Sequence, residues 1–199
     1  VPRDFVELPS QVMEHWAFEP EVLKMYAKHY DTEAVIPDEL IQKIQNASKF
    51  NQGFMTTELV AAAILDMKWY TKTASPNFSA KNIEGLKGLD VDKFESDAMK
   101  EIGLISSIIP RYRSTYFQHI FSGGYSSGYY SYLWSEVLDS DAFQAFVEKG
   151  NIFDQETAKA FRENVLSKGG TDEPMVLYKK FRGAEPNPTY LLKNRGFVK

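Results

Sequence analysis

The chain has 199 residues, of which 43% are hydrophobic and 25% charged, a composition typical of an ordinary globular protein with one domain or at most two. Its net charge of −4 comes without a basic stripe, which argues against a nucleic-acid-binding surface. The lack of cysteine excludes disulfides and thiolate metal sites and fits a reducing compartment. No stretch approaches the roughly 20 apolar residues of a membrane span, so we expect no membrane partner.

The first segment, VPRDFVELPSQVMEHW, begins without Met and without a visible leader, which indicates a longer parent polypeptide. A helix here would align three polar residues at i, i+4 and i+7, namely Glu7, Gln11 and Glu14. Such a row could present a metal ligand with supporting partners, although a solvated acidic face has the same pattern. Asp4 and Glu7 also fit a capping box, and Pro9 indicates that the helix bends or begins there.

Six further segments follow a helical pattern with recognisable starts or stops. They begin at Pro37–Asp38, at Thr56 or Thr57, at Asp90, at Ser131, at Asp154 and at Thr171. The second of them places five side chains on one face: Leu59, Ala62, Ala63, Met67 and Tyr70. Strand signals are scarce, because only residues 103–113 could be extended and they fit a loop or a helix end equally well. Residues 72–90 and 183–189 are rich in turn formers and predict breaks.

The stretch HIFSGGYSSGYYSYLW, His119–Trp134, puts several tyrosines directly after the pair Gly123 and Gly124. If a helix begins near Tyr125, three phenols share one face: Tyr125, Tyr129 and Tyr132. The other face would then be the core face: Tyr130, Leu133, Trp134 and Val137. A phenol is a neutral hydrogen-bond donor that can stabilise a developing oxyanion, and His119 could donate likewise. The alternative is an amphipathic helix whose tyrosine rings are half buried and whose hydroxyl groups are exposed to solvent, which gives the same spacing.

A search for standard catalytic motifs finds none. The three histidines, His15, His29 and His119, match no two-histidine zinc spacing. There is no G-x-S-x-G, no phosphate loop and no G-x-G-x-x-G, so the chain's own motifs do not complete an active site. A standalone hydrolase that uses His119 with a nearby carboxylate is one interpretation, although no nucleophile presents itself.

Two long blocks resemble a known family. RDFVELPSQVMEHW and HIFSGGYSSGYYSYLWSEV, together with the tail FRGAEPNPTYLLKNRGF, are similar to the C-terminal part of the thimet oligopeptidase and peptidyl-dipeptidase family of gluzincin-type zinc metallopeptidases. The resemblance runs from Arg3 to Phe197. The six residues from His119 to Tyr125 are more similar to the bacterial peptidyl-dipeptidase branch. The resemblance to the family implies a mainly α, multi-helix portion of the catalytic domain with little or no strand.

The resemblance also implies roles for individual residues. Glu7, in DFVE, corresponds to the third zinc ligand, and Arg3 would support it and contact substrate. His119 corresponds to the substrate-binding histidine, Tyr125 and Tyr132 to the transition-state tyrosines, with Tyr129 beside them. The loop from Ser122 to Gly128, with Gly123 and Gly124, corresponds to the glycine-rich loop that closes over substrate.

The H-E-x-x-H helix of the family precedes DFVE and is missing here. We therefore predict that residues 1–199 form a single, mostly helical C-terminal fragment of the catalytic domain that by itself neither binds zinc nor hydrolyses peptides. Its expected partners are short peptide substrates and the missing N-terminal part of the same enzyme. We expect a cytoplasmic location, with the periplasm as the alternative. The alternative function is a non-catalytic, all-helical module whose tyrosine-rich face binds a peptide.

Overall fold

The computed structural model describes residues 1–71 and 90–199, and they divide into two compact units. Unit 1 combines Val1–Gln52 with Ser131–Lys199, and unit 2 is Gly53–Tyr130. The predicted break at residues 72–90 falls almost wholly outside the described residues. That residues 1–199 form a single domain stays a prediction.

Helices dominate both units, which confirms the mainly α prediction. Those of unit 1 are α1 (Arg3–Val6), α2 (Leu8–Phe18), α3 (Pro20–Tyr26), α4 (Asp38–Ala47), α8 (Ser131–Glu148), α9 (Gln155–Phe161), α10 (Pro174–Arg182) and α11 (Thr189–Asn194). Unit 2 contains α5 (Gln52–Thr71, apart from its first residue), α6 (Val91–Glu101) and α7 (Gln118–Phe121). Within the described ranges the extended pairing is limited to one isolated bridge between Lys28 and Val35.

Helix ends follow the sequence signals in some places and not in others. The Asp154 carboxylate accepts the backbone N–H of Thr157 at 2.8 Å and caps α9, as predicted. The predicted caps at Thr56 or Thr57 and at Thr171 are wrong. Helix α5 begins earlier, at Gln52, and α10 begins later, at Pro174, whose fixed φ and missing N–H suit a first helical position.

Helix α8 is the central element of unit 1 and packs against α1, α2 and α11. A hydrophobic core forms around it from Phe5, Leu8, Val12, Leu138, Ala142, Phe143, Phe161, Val165, Leu177 and Tyr178. The predicted core face of α8 is wrong, because Tyr130 precedes the helix and is 43% exposed and Trp134 is 36% exposed. Small side chains, Ser131 and Ser135, occupy the buried side instead and allow neighbouring helices to approach.

The core of unit 2 is smaller. Ala61 and Leu65 of α5 pack with Ala98 and Met99 of α6, and partly buried Trp69, Phe94 and Leu104 complete the cluster. The Trp69 indole donates to Ser114 Oγ at 3.0 Å, and Ser114 in turn donates to the buried Glu95 carboxylate at 2.9 Å. These bonds attach the segment before α7 to the two long helices. Residues 103–113, the candidate strand, form an irregular connection.

Candidate active site

Glu7 occupies the junction between α1 and α2, where it is partly buried. The Ser10 hydroxyl lies 2.9 Å from the Glu7 carbonyl oxygen and 3.1 Å from Glu7 Oε2, so a neighbouring donor limits the orientations of the carboxylate. Pro9 falls in the first turn of α2, where its missing N–H costs no helical bond. The predicted capping box is wrong, because α1 begins at Arg3 and Asp4 lies within it without a side-chain cap.

Helices α2 and α8 run parallel, as their contacts show. Gln11 Nε2 donates to the Tyr132 carbonyl oxygen at 3.2 Å, and one turn later His15 Nε2 lies 2.7 Å from Asp139 Oδ1. Further along still, the His15 ring stacks on Phe143 at 4.8 Å. Because contact positions advance together along both helices, their N-terminal ends lie at the same end of unit 1. The candidate ligand Glu7 therefore belongs to the end of the helix pair that carries Tyr132.

The predicted histidine and tyrosines of unit 2 form an aromatic cluster. The His119 ring makes edge contacts with Tyr125 at 6.1 Å and with Tyr129 at 5.6 Å between ring centroids. Two further rings that the sequence analysis missed complete it, because Tyr112 lies 4.8 Å from His119 and stacks on Phe117 at 5.1 Å. The only sequence signal for them is the run of aromatic residues between Tyr112 and His119.

Helix α8 begins at Ser131, as the helical pattern from that residue predicted, and the alternative start near Tyr125 is wrong. Tyr125 and Tyr129 lie in a series of turns, and Tyr132 lies in the first turn of α8. The three phenols therefore do not share one helical face. Tyr129 is only 3% exposed, and burial, opposed by the nearby Arg111 charge, raises its pKa to about 12. Tyr129 thus packs within the cluster, whereas Tyr125 is partly buried.

The glycine pair has a steric explanation. A Cβ atom at Gly123 would lie 2.8 Å from His119 Cα and 2.9 Å from the His119 carbonyl oxygen, so the backbone could not pass this close with any other residue. Gly124 has φ +81°, in the left-handed region. The chain then returns, and the Tyr125 N–H donates to the His119 carbonyl at 2.9 Å. The two glycines thus bring Tyr125 back over α7.

The site residues that sequence analysis predicted are divided between the two units. Unit 1 contains Arg3, exposed at the start of α1, together with Glu7 and Tyr132. Unit 2 brings together His119, Gly123, Gly124, Tyr125 and Tyr129.

Comparison of the sequence with known protein families identifies a match. The sequence model of Peptidase family M3 matches residues 1–197. The chain belongs to peptidase family M3. Family M3 membership confirms the resemblance to the thimet oligopeptidase and peptidyl-dipeptidase family that the DFVE and glycine-tyrosine blocks indicate.

Individual M3 relatives align along nearly the whole chain. It is 45% identical over 196 residues to the dipeptidyl carboxypeptidase of Escherichia coli strain K12 and 39% identical over 201 residues to oligopeptidase A of the same strain. Saccharolysin of Saccharomyces cerevisiae is 31% identical over 199 residues. Each alignment covers 98% of this chain and 26% or 27% of the relative, so the chain spans about a quarter of the length of the curated relatives it matches.

The described residues of this M3 chain do not form a complete metal site. Zinc, the metal that the family resemblance implies, is held at catalytic sites by three protein ligands. Among residues 1–71 and 90–199, no group of three or more His, Cys, Asp or Glu side chains could hold a metal ion. Glu7, whose carboxylate lies beside Ser10, is the residue to which the resemblance assigns one ligand position.

A membrane span requires a helix that is both long and apolar. None of the described helices combines the necessary length with sufficient apolar character.

Proposed function

We propose that the chain is the C-terminal part of the catalytic region of a zinc metallopeptidase that hydrolyses short peptides. The observation that carries the proposal is the match of residues 1–197 to Peptidase family M3, a range that includes both DFVE and the glycine-tyrosine block of this chain. Release of dipeptides from a carboxyl end is the finer proposal. It is supported by the 45% identity to a dipeptidyl carboxypeptidase and by the six-residue spacing from His119 to Tyr125.

In this proposal unit 1 contributes one ligand and one donor. Glu7 supplies a carboxylate oxygen to zinc, and Ser10 restrains that carboxylate at 3.1 Å. Zinc, when bound, would polarise the scissile carbonyl and lower the pKa of the attacking water. The other ligands and the general base would come from an H-E-x-x-H helix elsewhere in the polypeptide. The Tyr132 hydroxyl donates a hydrogen bond to the carbonyl oxygen as it becomes an oxyanion.

Unit 2 contributes substrate-binding groups in the same proposal. His119 is held among Tyr112, Tyr125 and Tyr129 and donates to the peptide backbone of the substrate. Tyr125 follows the two glycines and supplies a second phenol donor to the reacting carbonyl. Its hydroxyl stabilises developing negative charge by donating a hydrogen bond. Gly123 and Gly124 let the backbone approach a bound peptide closely.

Several accompanying expectations belong to this proposal. The partners are short peptides and the remainder of the same polypeptide, and the compartment is the cytoplasm, with the periplasm as the alternative. The 199-residue chain alone is expected to be inactive, because one carboxylate is too few ligands for a catalytic zinc. The alternative, a peptide-binding module with a tyrosine-rich face, is less well supported, since Tyr129 lies inside the aromatic cluster with 3% exposure.

The decisive experiment replaces the candidate ligand in the full-length enzyme. Glu7→Gln keeps the size of the side chain but removes the charge that a zinc ligand needs. We expect zinc affinity to fall by more than about 10²-fold, because partners behind a ligand already contribute 10–100-fold, and peptide hydrolysis to be lost with it. Metal analysis and competition with a chelator measure the affinity.

The matched control is Glu14→Gln, on the same side of α2 and exposed. It should keep zinc and activity at the wild-type level. Unchanged zinc affinity in Glu7→Gln would remove Glu7 from the metal site. A wild-type enzyme that binds peptides but does not cleave them, with or without zinc, would favour the binding module.

A further inference from the structure

Asp66 is a charged residue in the interior of unit 2 that no part of the proposed mechanism uses. It lies on α5 and has no exposed surface. Its Oδ1 accepts the backbone N–H of Ser127 at 2.9 Å, and its Oδ2 accepts the backbone N–H of Tyr129 at 2.9 Å. The Gly128 N–H lies between them and, like them, favours the charged form of this carboxylate. Two backbone donors therefore converge on one buried side chain.

The hydrogen bonds from the backbone N–H groups explain how a carboxylate can be buried at this position. Among the described residues no Lys, Arg or His nitrogen lies within salt-bridge distance of Asp66, so backbone N–H groups are its partners. A turn with successive N–H groups facing inward is a known way to bind an anion. Burial raises the pKa of Asp66, and the backbone N–H groups of Tyr129, Ser127 and Gly128 oppose that rise. A buried carboxylate without such donors would be strongly unfavourable.

The turn that Asp66 holds is unusual in its own right. Ser127 has φ +54°, a left-handed conformation that costs a non-glycine residue energy unless its surroundings fix it. The Gly128 N–H donates to the Tyr125 carbonyl at 2.8 Å, so the same turn connects to Tyr125. At its other end the turn leads to Tyr129, whose ring contacts His119. The conformation of residues 125–129 therefore depends on a carboxylate that precedes Ser127 by 61 residues in the sequence.

We propose that Asp66 is a positioning residue that fixes the turn from Tyr125 to Tyr129 and so orients the Tyr125 phenol and the His119 ring for substrate. This inference rests on the proposed function, in which Tyr125 and His119 contact the substrate. Asp66 itself touches no substrate and acts through the backbone of Ser127 and Tyr129. Because a displacement of about 1 Å can cost about 10²-fold in rate, a loosened turn should have a large kinetic effect.

The test uses the full-length enzyme with Asp66→Asn. The amide keeps one acceptor oxygen but turns an NH2 group toward a backbone N–H, so one bond of the turn is lost. We expect kcat to fall about 10- to 100-fold with little change in KM. Hydrogen exchange should become faster at the amides of Ser127, Gly128 and Tyr129. The control is Asp97→Asn, which replaces an exposed carboxylate on α6 that pairs with Lys93. It should change neither kcat nor the hydrogen exchange of these amides.

A double-mutant cycle separates positioning from general loss of structure. If Asp66 acts through Tyr125, the double variant Asp66→Asn with Tyr125→Phe should have a kcat within about twofold of the more impaired single variant. Independent, multiplying losses would overturn the proposal. So would a wild-type kcat in Asp66→Asn.

The role of Asp66 can still be tested if the variant does not fold or if the enzyme cleaves no peptide. If Asp66→Asn does not fold, Ser127→Pro removes one donor from the turn and cannot adopt φ +54°, so the same loss of kcat is expected and a wild-type rate would overturn the proposal. If the wild-type enzyme cleaves no peptide, the proposed function fails, and amide exchange alone decides on Asp66. Faster exchange in Asp66→Asn but not in Asp97→Asn then supports its role, and equal exchange rules it out.

Discussion

At the scale of single residues, the tyrosines differ in what their hydroxyl groups can do. Tyr178 is fully buried in unit 1 and donates to Asp141 Oδ2 at 2.6 Å, and burial raises its pKa. Tyr129 is buried among other rings in unit 2. Tyr132 and Tyr125 are only partly buried. How far each tyrosine hydroxyl is buried therefore decides which groups it can contact.

The role of Tyr132 can be tested in the full-length enzyme with Tyr132→Phe. The ring and its packing stay, and only the oxyanion donor is removed. We expect kcat to fall by about 10²–10³-fold while KM changes little, because the bond forms mainly in the transition state. Steady-state kinetics on a short peptide measure both constants. Tyr30→Phe, at a residue that is 92% exposed, is the control, and a wild-type kcat in Tyr132→Phe would contradict the assignment.

At the scale of elements, the glycine-tyrosine segment is a loop folded against α7, held by tertiary contacts. The Gly123 N–H donates to the Gln118 carbonyl at 2.8 Å, which ends α7, and the Tyr125 N–H returns to His119. Tyr70 of α5 bonds to the Ile120 carbonyl from the other side. Tyrosine periodicity suggested a helix, yet the left-handed Gly124 and Ser127 interrupt any helix before Ser131.

Gly123→Ala tests whether the loop path matters. The new methyl group would meet backbone atoms of His119 at 2.8 and 2.9 Å, which no side-chain rotation can relieve, so the loop must shift. We expect kcat/KM of the full-length enzyme to fall by about 10²-fold. Gly53→Ala, near the start of α5 and with open space around its Cβ position, should keep full activity. Similar kcat/KM values for the two variants would show that this loop does not position the substrate groups.

At the scale of the whole molecule, buried carboxylates make stability depend on pH. Asp139 in unit 1 is 4% exposed, and burial raises its pKa although His15, Ser140 and the Arg195 charge oppose the rise. The folded state therefore holds this proton more tightly than the unfolded state does. Its contribution to stability is fully present below the ordinary Asp pKa of about 3.9 and is lost as pH rises through the folded pKa.

Asp139→Asn should remove this dependence. As pH rises from about 4 through the raised pKa of Asp139, the free energy of unfolding of the wild type should fall relative to that of the variant. Urea unfolding at a series of pH values measures the difference. Asp172→Asn is a control of opposite sign, because Lys180 lowers the pKa of Asp172, so the wild type should lose stability relative to it as pH falls below about 4. Parallel pH profiles of the wild type and Asp139→Asn would contradict the assignment.

The sequence predicted the helical class, the start of α4 at Asp38, the Asp154 cap and the break at residues 183–189, because these depend on neighbouring residues. It predicted Glu7 and the glycine-tyrosine residues only through resemblance to relatives. On the face of α5 that it grouped together, Leu59 and Ala62 are buried but Met67 and Tyr70 are exposed, and it did not predict the buried Asp66. Helical periodicity alone could not decide this, since the mostly apolar helix has no single hydrophobic side.

The amino-acid sequence by itself thus determined what depends on local chemistry: helix formation, several helix ends and the membership in peptidase family M3 that its motifs indicate. Only the tertiary structure decided which polar groups are buried and what satisfies them. Asp66 with the amides of Ser127 and Tyr129, and His15 with Asp139, are pairs separated by more than 60 residues in the chain. No periodicity encodes such pairs, because each forms only when folding brings together two partners that are distant in the sequence.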